Sequence, residues 1–513
     1  QRHALDSAPG GYSMTDHFDV AIIGGGVVGC AIARDLSKHQ LKIVVLERDT
    51  DVARGTSGKN SGVAHTGINV PTGSLKAKVN VRGAAMFESL CNELDVPYKQ
   101  TGKLIVALDE SQVPDLEAMQ ARGLANGVPI LEIIDANEIK RLEPNITGHA
   151  AVHAPTAAVT CPYSLTIALA ESAAENGVAV MLESPVTAIS GDEGEFTITT
   201  PKGSINAGLI INSAGLGSDQ VARMAGVERW KIYPCRGEYV ILDRSVGDMI
   251  TRMVYPVPPK GGAGLGIHIT PTVDGNILLG PSTDYIENLD DVDTTVEVRK
   301  QLLKEASEFL PIISPRDVIT AYSGIRPKLT SASEGGFGDF VIEEVPERPG
   351  MMHLVGIESP GLTAAPAIAV MMVDWVTEKL SPAANNDFKS GAHTAKRFRE
   401  QPRNVQSDLV DNDPDYGRVI CRCELVTKRE ILSAIENKLG ARSINSIKYR
   451  SRSMMGRCQG GFCGPRIVDL LLENGVSYEE LNLKGDGSWM FIDTSKGLRD
   501  AFEPESREEV TSR

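Results

Sequence analysis

A chain of 513 residues is long enough for two or three domains with substantial cores. Its 52 basic and 67 acidic residues leave a net charge of −15 at pH 7, which argues against nucleic acid as a partner and offers no basic patch to anionic lipid. No run of eighteen apolar residues is uninterrupted, so no transmembrane helix is expected. Residues 1–13 lack the apolar core of a secretory signal and read as an extraneous leader ahead of a start at Met14.

The first element in chain order is an apolar run at 20–23, which reads as a buried parallel strand. Gly24, Gly26 and Gly29 follow with the spacing of a dinucleotide fingerprint: a tight turn, close backbone approach to a pyrophosphate, and close helix–strand packing. The helix that opens near Gly26 presents unpaired N–H groups and its positive dipole end to phosphate. Residues 44–46 read as the second strand, and Glu47 closes it where an acid accepts hydrogen bonds from the adenosine ribose. This unit leaves FAD and NAD both open.

Residues 54–67 are small and polar, which suits a loop wrapped around a ligand. Helical periodicity runs over 76–94, and Lys76 and Lys78 within it read as exposed lysines. From about 101 to 226 strands and helices alternate, with a helix in 160–177 and strands at 178–182 and 186–189. A hairpin pairs 195–200 with 204–207, and a separate buried strand, 209–215, ends in small residues. Residues 236–242 and 264–280 are strand-rich, with the turn dipeptide Asp274-Gly275 inside the second, so an antiparallel sheet is expected to cover the cofactor. Strand character resumes at 353–357, followed by an apolar helical stretch at 362–376 that carries Pro366 and Asp374 and reads as a packed core helix. Residues 381–415 have the composition of a linker.

Eight cysteines in so long a chain are not a disulfide framework. Cys30, Cys91, Cys161 and Cys235 are scattered, whereas Cys421, Cys423, Cys458 and Cys463 cluster, which points to metal ligands in a reducing compartment. Between Cys423 and Cys458 lie 34 residues, with a helical pattern at 427–438, so the spacer can fold back and join the two pairs. Four thiolates suit a [2Fe-2S] cluster. Zinc is the alternative, although Cys-x-Cys followed by Cys-x₄-Cys departs from the Cys-x₂-Cys pairs of most zinc sites.

The fingerprint, Asn212-Ser-Ala-Gly215, Gly324-Ile-Arg-Pro327 and Gly356-Ile-Glu-Ser-Pro-Gly361 together resemble the glycine oxidase and D-amino-acid oxidase type of FAD oxidoreductase. Within that group, Asn60-Ser-Gly-Val-Ala-His-Thr-Gly67 and Gly73-Ser-Leu-Lys-Ala-Lys78 look like the branch of L-2-hydroxyglutarate dehydrogenases and type II glycerol-3-phosphate oxidases and dehydrogenases. Cys421-Arg-Cys423 with Cys458-Gln-Gly-Gly-Phe-Cys463 is similar to the bacterioferritin-associated-ferredoxin-like [2Fe-2S] domain, which anaerobic glycerol-3-phosphate dehydrogenases also carry.

The resemblance implies an α/β glutathione-reductase-like FAD-binding fold with an antiparallel substrate sheet and a small, mainly helical iron–sulfur domain. The expected parts are an oxidoreductase at 14–380, a linker at 381–415, the iron–sulfur domain at 416–480 and an extension at 481–513. FAD-binding segments are expected at about 18–95, 150–226 and 321–380, and the substrate sheet at about 96–149 and 227–320. Cofactor contacts are implied at Gly24, Gly26, Val28, Gly29, Glu47, Arg48, Thr56, Ser57, Asn60, Ser61, Gly62, Val63, His65, Val186, Ser213, Ala214, Gly215, Gly324, Arg326, Gly356, Ser359, Pro360, Gly361, Leu362 and Thr363.

His65 is the implied base, because imidazole titrates near neutrality and its loop should line the flavin; a mere hydrogen-bonding role is the alternative. His268 reads as a second base, a phosphate donor or an ordinary sheet histidine. Arg326 can fork onto a carboxylate or phosphate and stabilise charge on reduced flavin, or form a structural ion pair. The implied activity is oxidation of sn-glycerol 3-phosphate, with L-2-hydroxyglutarate dehydrogenation and a non-catalytic redox relay as alternatives. The expected partners are a small anionic hydroxy substrate and an electron-accepting subunit or quinone-linked protein. A cytoplasmic protein is expected, with any membrane association made through a partner.

Overall fold

A computed structural model describes residues 17–258, 264, 266–391, 397–485 and 487–491. The leader at 1–13 lies outside the described residues, as does part of the strand-rich stretch 264–280. Two compact units emerge. The first takes in the described residues up to 391 with the stretches 437–440 and 456–459; the second takes in those of 397–436, 441–455 and from 460 onward.

The first unit is built on two large sheets, with a small three-stranded one beside them. In one, the strand His17–Ile23 lies between Ile43–Leu46 and Gly203–Asn212, parallel to both. Parallel neighbours need a crossover, and the helix Val27–Leu36 supplies it. That helix packs against the helices Pro162–Glu175 and Gly361–Leu380, so the central strands are buried and read as unbroken apolar runs. The hairpin expected at 195–207 forms between Phe196–Thr200 and Gly203–Asn212. Its second arm does not end at 207 but runs on through Gly208 as one ten-residue strand, whose first half pairs with the hairpin and whose second half pairs with Met351–Val355. Pairing with His17–Ile23 along 206–212 holds the chain extended through the glycine.

The other sheet has nine strands. Its long members, Tyr233–Leu242 and Val318–Lys328, pair antiparallel along most of their length. The hairpin His268–Pro271 with Ile277–Gly280 forms around the Asp274-Gly275 turn. This sheet is not purely antiparallel: Met253–Pro256 runs parallel to Lys103–Ala107. It also reaches further than expected, taking in Ala150–Ala154 and, in the strand Val318–Lys328, residues 321–328, which were assigned to the FAD-binding part.

Alternation along these strands decides what faces the site. Leu104 and Val106 point into a core shared with the helix Val296–Phe309, while Ile105 and Ala107 pack with Val63, Ile68 and Tyr255 on the opposite face. Lys103 shares the parity of Ile105, and His268 the opposite parity to Ile269 in the first core, so both lie on the Val63 side.

The second unit has its own core, with Ile431, Ile435, Ile447, Ile467 and Leu471 drawn from the helices Lys428–Ile435, Ile444–Ser451 and Gly464–Glu473. The first of these helices opens on a capping box between Thr427 and Glu430. Two features differ from the sequence reading. The stretch 381–415 contains a helix, Arg403–Asn412, and the start of the extension at 481 joins the core through Leu481.

Candidate active site

The fingerprint turn is held by backbone geometry that only glycine tolerates well. Gly24 has φ +111°, and a Cβ there would lie 2.6 Å from Ser213 O. Gly29 packs against Gly24 O, so a side chain at 29 would strike backbone. Gly25 N donates to Glu47 Oε2 at 2.7 Å, and Asp49 N to Glu47 Oε1 at 2.9 Å. Burial nevertheless pushes the Glu47 carboxyl up to about 7, leaving an acid whose charge needs further donors. Val27 N, at the helix start, donates to Ser57 Oγ at 2.8 Å. Arg48 is exposed and lies 3.8–3.9 Å from Asp290 and Asp49 carboxylates.

The loop after the second strand is folded by its own polar residues. Asn60 Nδ2 donates to Thr56 O and Ser57 O, and its Oδ1 accepts from Gly62 N. Two bonds tie this loop to the long sheet strand: Thr56 Oγ1 to Ile325 O at 2.6 Å and Tyr322 OH to Asn60 O at 2.9 Å. Gly324 lies against Lys59 O, where any side chain would collide with the loop.

One large cavity runs along these elements. Gly24, Gly26, Val28, Glu47, Arg48, Thr56, Ser57, Asn60, Ser61, Val63, His65, Val186, Ser213, Ala214, Gly215, His268, Arg326, Ser359, Pro360, Gly361 and Leu362 all line it. Five expected cofactor residues do not: Gly29, Gly62, Gly324, Gly356 and Thr363 stand behind the wall. The glycines allow close packing, Gly62 against Thr160 O and Gly356 against Leu329. Thr363 Oγ1 accepts from His65 N at 2.8 Å and so positions the loop rather than the ligand.

His65, His268 and Arg326 reach the same space from three different elements. His65 Nε2 lies 3.4 Å from Ser359 Oγ. Burial, with the charge of Lys103 added, pushes its imidazole down to about 3, so it is neutral throughout the physiological range. His268 is 5 % exposed, stacks on Tyr255 with ring centroids 3.5 Å apart, and has no partner for either ring nitrogen. Burial first, then His65, Lys103 and Arg326, holds it well below the usual histidine range. Arg326 Nη2 donates to Ser282 O at 2.9 Å and Thr283 Oγ1 at 3.2 Å, while its buried Nε has no partner. Among the described residues no carboxylate pairs with Arg326.

Four residues on or behind this wall were not recognised in the sequence. Lys76, taken as exposed, is 1 % exposed and bonds Glu358 Oε1 at 3.0 Å; Lys328 lies 3.4 Å from the other oxygen of Glu358. Lys78 is exposed as expected. Lys103 is also 1 % exposed, with its Nζ 4.7 Å from the centre of the Tyr255 ring. A lysine opening an apolar strand reads as a solvated strand end, and only the fold reveals that this end points inward.

In the second unit Cys421 and Cys463 are buried and Cys423 exposed; Cys458 is exposed as well. A hydrogen bond with Cys463 draws the Cys421 thiol below its ordinary range, favouring the thiolate that iron requires. Among the described residues no three or more His, Cys, Asp or Glu side chains are gathered as a metal-holding group, and a hydrogen bond joins Cys421 and Cys463.

A parallel sheet with a glycine cradle at a helix N-terminus, an acid at the end of the second strand, and two histidines and an arginine on the opposing wall define a dinucleotide-dependent oxidoreductase. Residues 19–375 match the FAD dependent oxidoreductase family, and the chain belongs to that family. Residues 419–473 match the BFD-like [2Fe-2S] binding domain, so the cofactors are FAD and a [2Fe-2S] cluster. The glycine cradle and the partnerless nitrogens of His268 and Arg326 fit the first, and the all-thiol donor set fits the second.

The chain is 36% identical to the glycerol 3-phosphate dehydrogenase of Caloramator mitchellensis over 485 residues, which is 93% of this chain and 99% of that protein. It is 31% identical to the mitochondrial L-2-hydroxyglutarate dehydrogenase of Homo sapiens over 72% of this chain and 90% of that protein. Among solved structures, the FAD-bound L-alpha-glycerophosphate oxidase of Mycoplasma pneumoniae superposes with a TM-score of 0.69 at 29% identity, covering 74% of this chain and 98% of that one. No described helix is long and apolar enough to cross a membrane.

Proposed function

We propose that the chain oxidises the secondary alcohol of sn-glycerol 3-phosphate to dihydroxyacetone phosphate and passes the electrons to an external acceptor. The observation that carries this reading is the meeting of His65, His268 and Arg326 on the wall of the fingerprint cavity. The substrate is taken from the Caloramator relative, whose similarity extends over both units.

Bound FAD supplies a two-electron hydride acceptor at N5. Gly24, Gly26, Ser57 and the start of the helix Val27–Leu36 would hold its pyrophosphate, and Glu47 the ribose hydroxyls. The carbinol carbon loses hydride, the carbinol oxygen loses its proton to neutral His65 Nε2, and a carbonyl remains. Thr363 and Ser359 hold the imidazole at its backbone and ring. Arg326, with an unpaired Nε, stabilises the negative charge that the hydride carries into the cavity. Cys421, Cys423, Cys458 and Cys463 would hold the cluster, which when bound would supply one-electron transfer toward a protein or quinone-linked acceptor.

L-2-hydroxyglutarate is the second reading, supported by the similarity to several dehydrogenases of that substrate. Anaerobic stopped-flow bleaching of the flavin with both compounds tests the choice. Reduction by glycerol 3-phosphate at least as fast as by L-2-hydroxyglutarate is expected; reduction by the hydroxyacid alone would overturn the first reading, and reduction by neither would leave a redox relay.

A further inference from the structure

Next to the flavin cavity lies a second, smaller one, and His65, Ser359, Pro360 and Phe337 belong to the walls of both. Its far side holds Lys103 and Lys76. Lys76 already has a counter-ion, because Glu358 bonds it and lies beside Lys328. Lys103 differs: among the described residues no carboxylate, carbonyl or hydroxyl bonds its ammonium, and its contact is the face of Tyr255. A buried ammonium is costly unless an anion or hydrogen-bond acceptors meet it. The strand alternation that turns Lys103 inward spends a core position on this charge, opposite the loop that carries the proposed base.

The geometry points to the second cavity as the subsite for the anionic end of the substrate, with Lys103 Nζ as the cation that holds it. This rests on the reading that the chain oxidises an anionic hydroxy compound, and it divides the substrate across His65: the carbinol on the flavin side, the phosphate or distal carboxylate beyond. Phosphate and carboxylate share the chemistry that an ammonium recognises, and the probes below separate them.

The test uses the full-length, FAD-loaded protein and its Lys103→Met and Lys103→Arg variants. Calorimetric titration with inorganic phosphate and, separately, with glutarate reads the subsite without turnover. The parent protein is expected to bind one of these, phosphate if the substrate is a phosphate ester and glutarate if it is a hydroxydiacid. Lys103→Met should weaken that binding about 10- to 100-fold, the range for one hydrogen-bonded charge, and Lys103→Arg by less. In turnover the Met variant should raise KM for the anionic substrate. Removing a charge that no described residue compensates should leave the Tm equal or higher, which separates a lost anion contact from a damaged fold. Parent-like affinity and KM in Lys103→Met would overturn the subsite, as would a parent protein that binds neither probe. Failure to oxidise glycerol 3-phosphate would overturn the function proposed above and leave the calorimetric result standing.

Discussion

His65 was singled out in the sequence as the base, and it lines the fingerprint cavity together with His268 and Arg326. A histidine suits a base because it titrates near neutrality, yet burial beside Lys103 brings this imidazole down to about 3. In the mechanism proposed above it would need no deprotonation before acting as the base, and would take a proton only as one leaves the carbinol. His65→Ala should retain FAD and slow flavin reduction by about 10²- to 10⁴-fold, roughly 3–5 kcal/mol of barrier. Anaerobic stopped-flow measures this directly; reduction at the parent rate would transfer the role to His268. The pH profile carries a second prediction. Lys103, faced by His65, Tyr255 and His268 and drawn down to about 8 by burial, must stay charged to hold an anion. Across pH ~5 to ~7 kcat/KM, which reports the free enzyme, should be flat, because His65 is already neutral, and it should fall above about 8 as Lys103 loses its proton. A rise through the ordinary histidine range would contradict the environment described for His65. Lys103→Met should abolish the alkaline fall.

Elements carry a different kind of constraint, which is space. Gly29→Val would drive a branched side chain into Gly24 O, so the helix Val27–Leu36 could not keep its approach to the cofactor. The purified variant should be colourless, and a parent-like flavin ratio would count against this placing of the fingerprint. Such a motif is legible in a sequence because spacing alone encodes it: strand, turn, helix, strand and acid are neighbours in the chain. The cysteine cluster and the 54–67 loop were legible for the same reason. Lys76, Lys103 and Glu358 were not, because their significance lies in pairings and parities between strands far apart in sequence. Glu358 stood inside a motif that drew attention for its glycines. It accepts from Lys76 at the start of the helix Leu75–Glu93 and lies beside Lys328 at the end of a sheet strand, joining two layers at the wall of the site. Glu358→Gln would remove the carboxylate charge that bonds the buried Lys76 ammonium and lies beside Lys328. A loss of about 3–5 kcal/mol is expected, read as a lowered Tm of the FAD-loaded protein; an unchanged Tm would mean the pair is solvated.

Across the whole molecule, two compact units carry chemistries with different electron counts. Oxidation of an alcohol delivers two electrons together, whereas an iron–sulfur centre passes them one at a time. The flavin motifs all fall before residue 376 and the thiols after 420, and each unit has its own apolar core. Substrate oxidation and onward transfer should therefore be separable by mutation. Cys423 is the residue with which to separate them, because it is exposed and its replacement by serine leaves the core around Ile431, Ile447 and Ile467 intact. Cys421 and Cys463 are buried and would confound folding with ligation. Cys423→Ser should be reduced by substrate at the parent rate, as judged by anaerobic bleaching, and should lose iron and sulfide. Delivery of electrons to a one-electron acceptor should then fall to near background. Parent-like transfer in this variant would remove the cluster from the route, and metal analysis of the anaerobically purified parent that found zinc alone would remove it altogether.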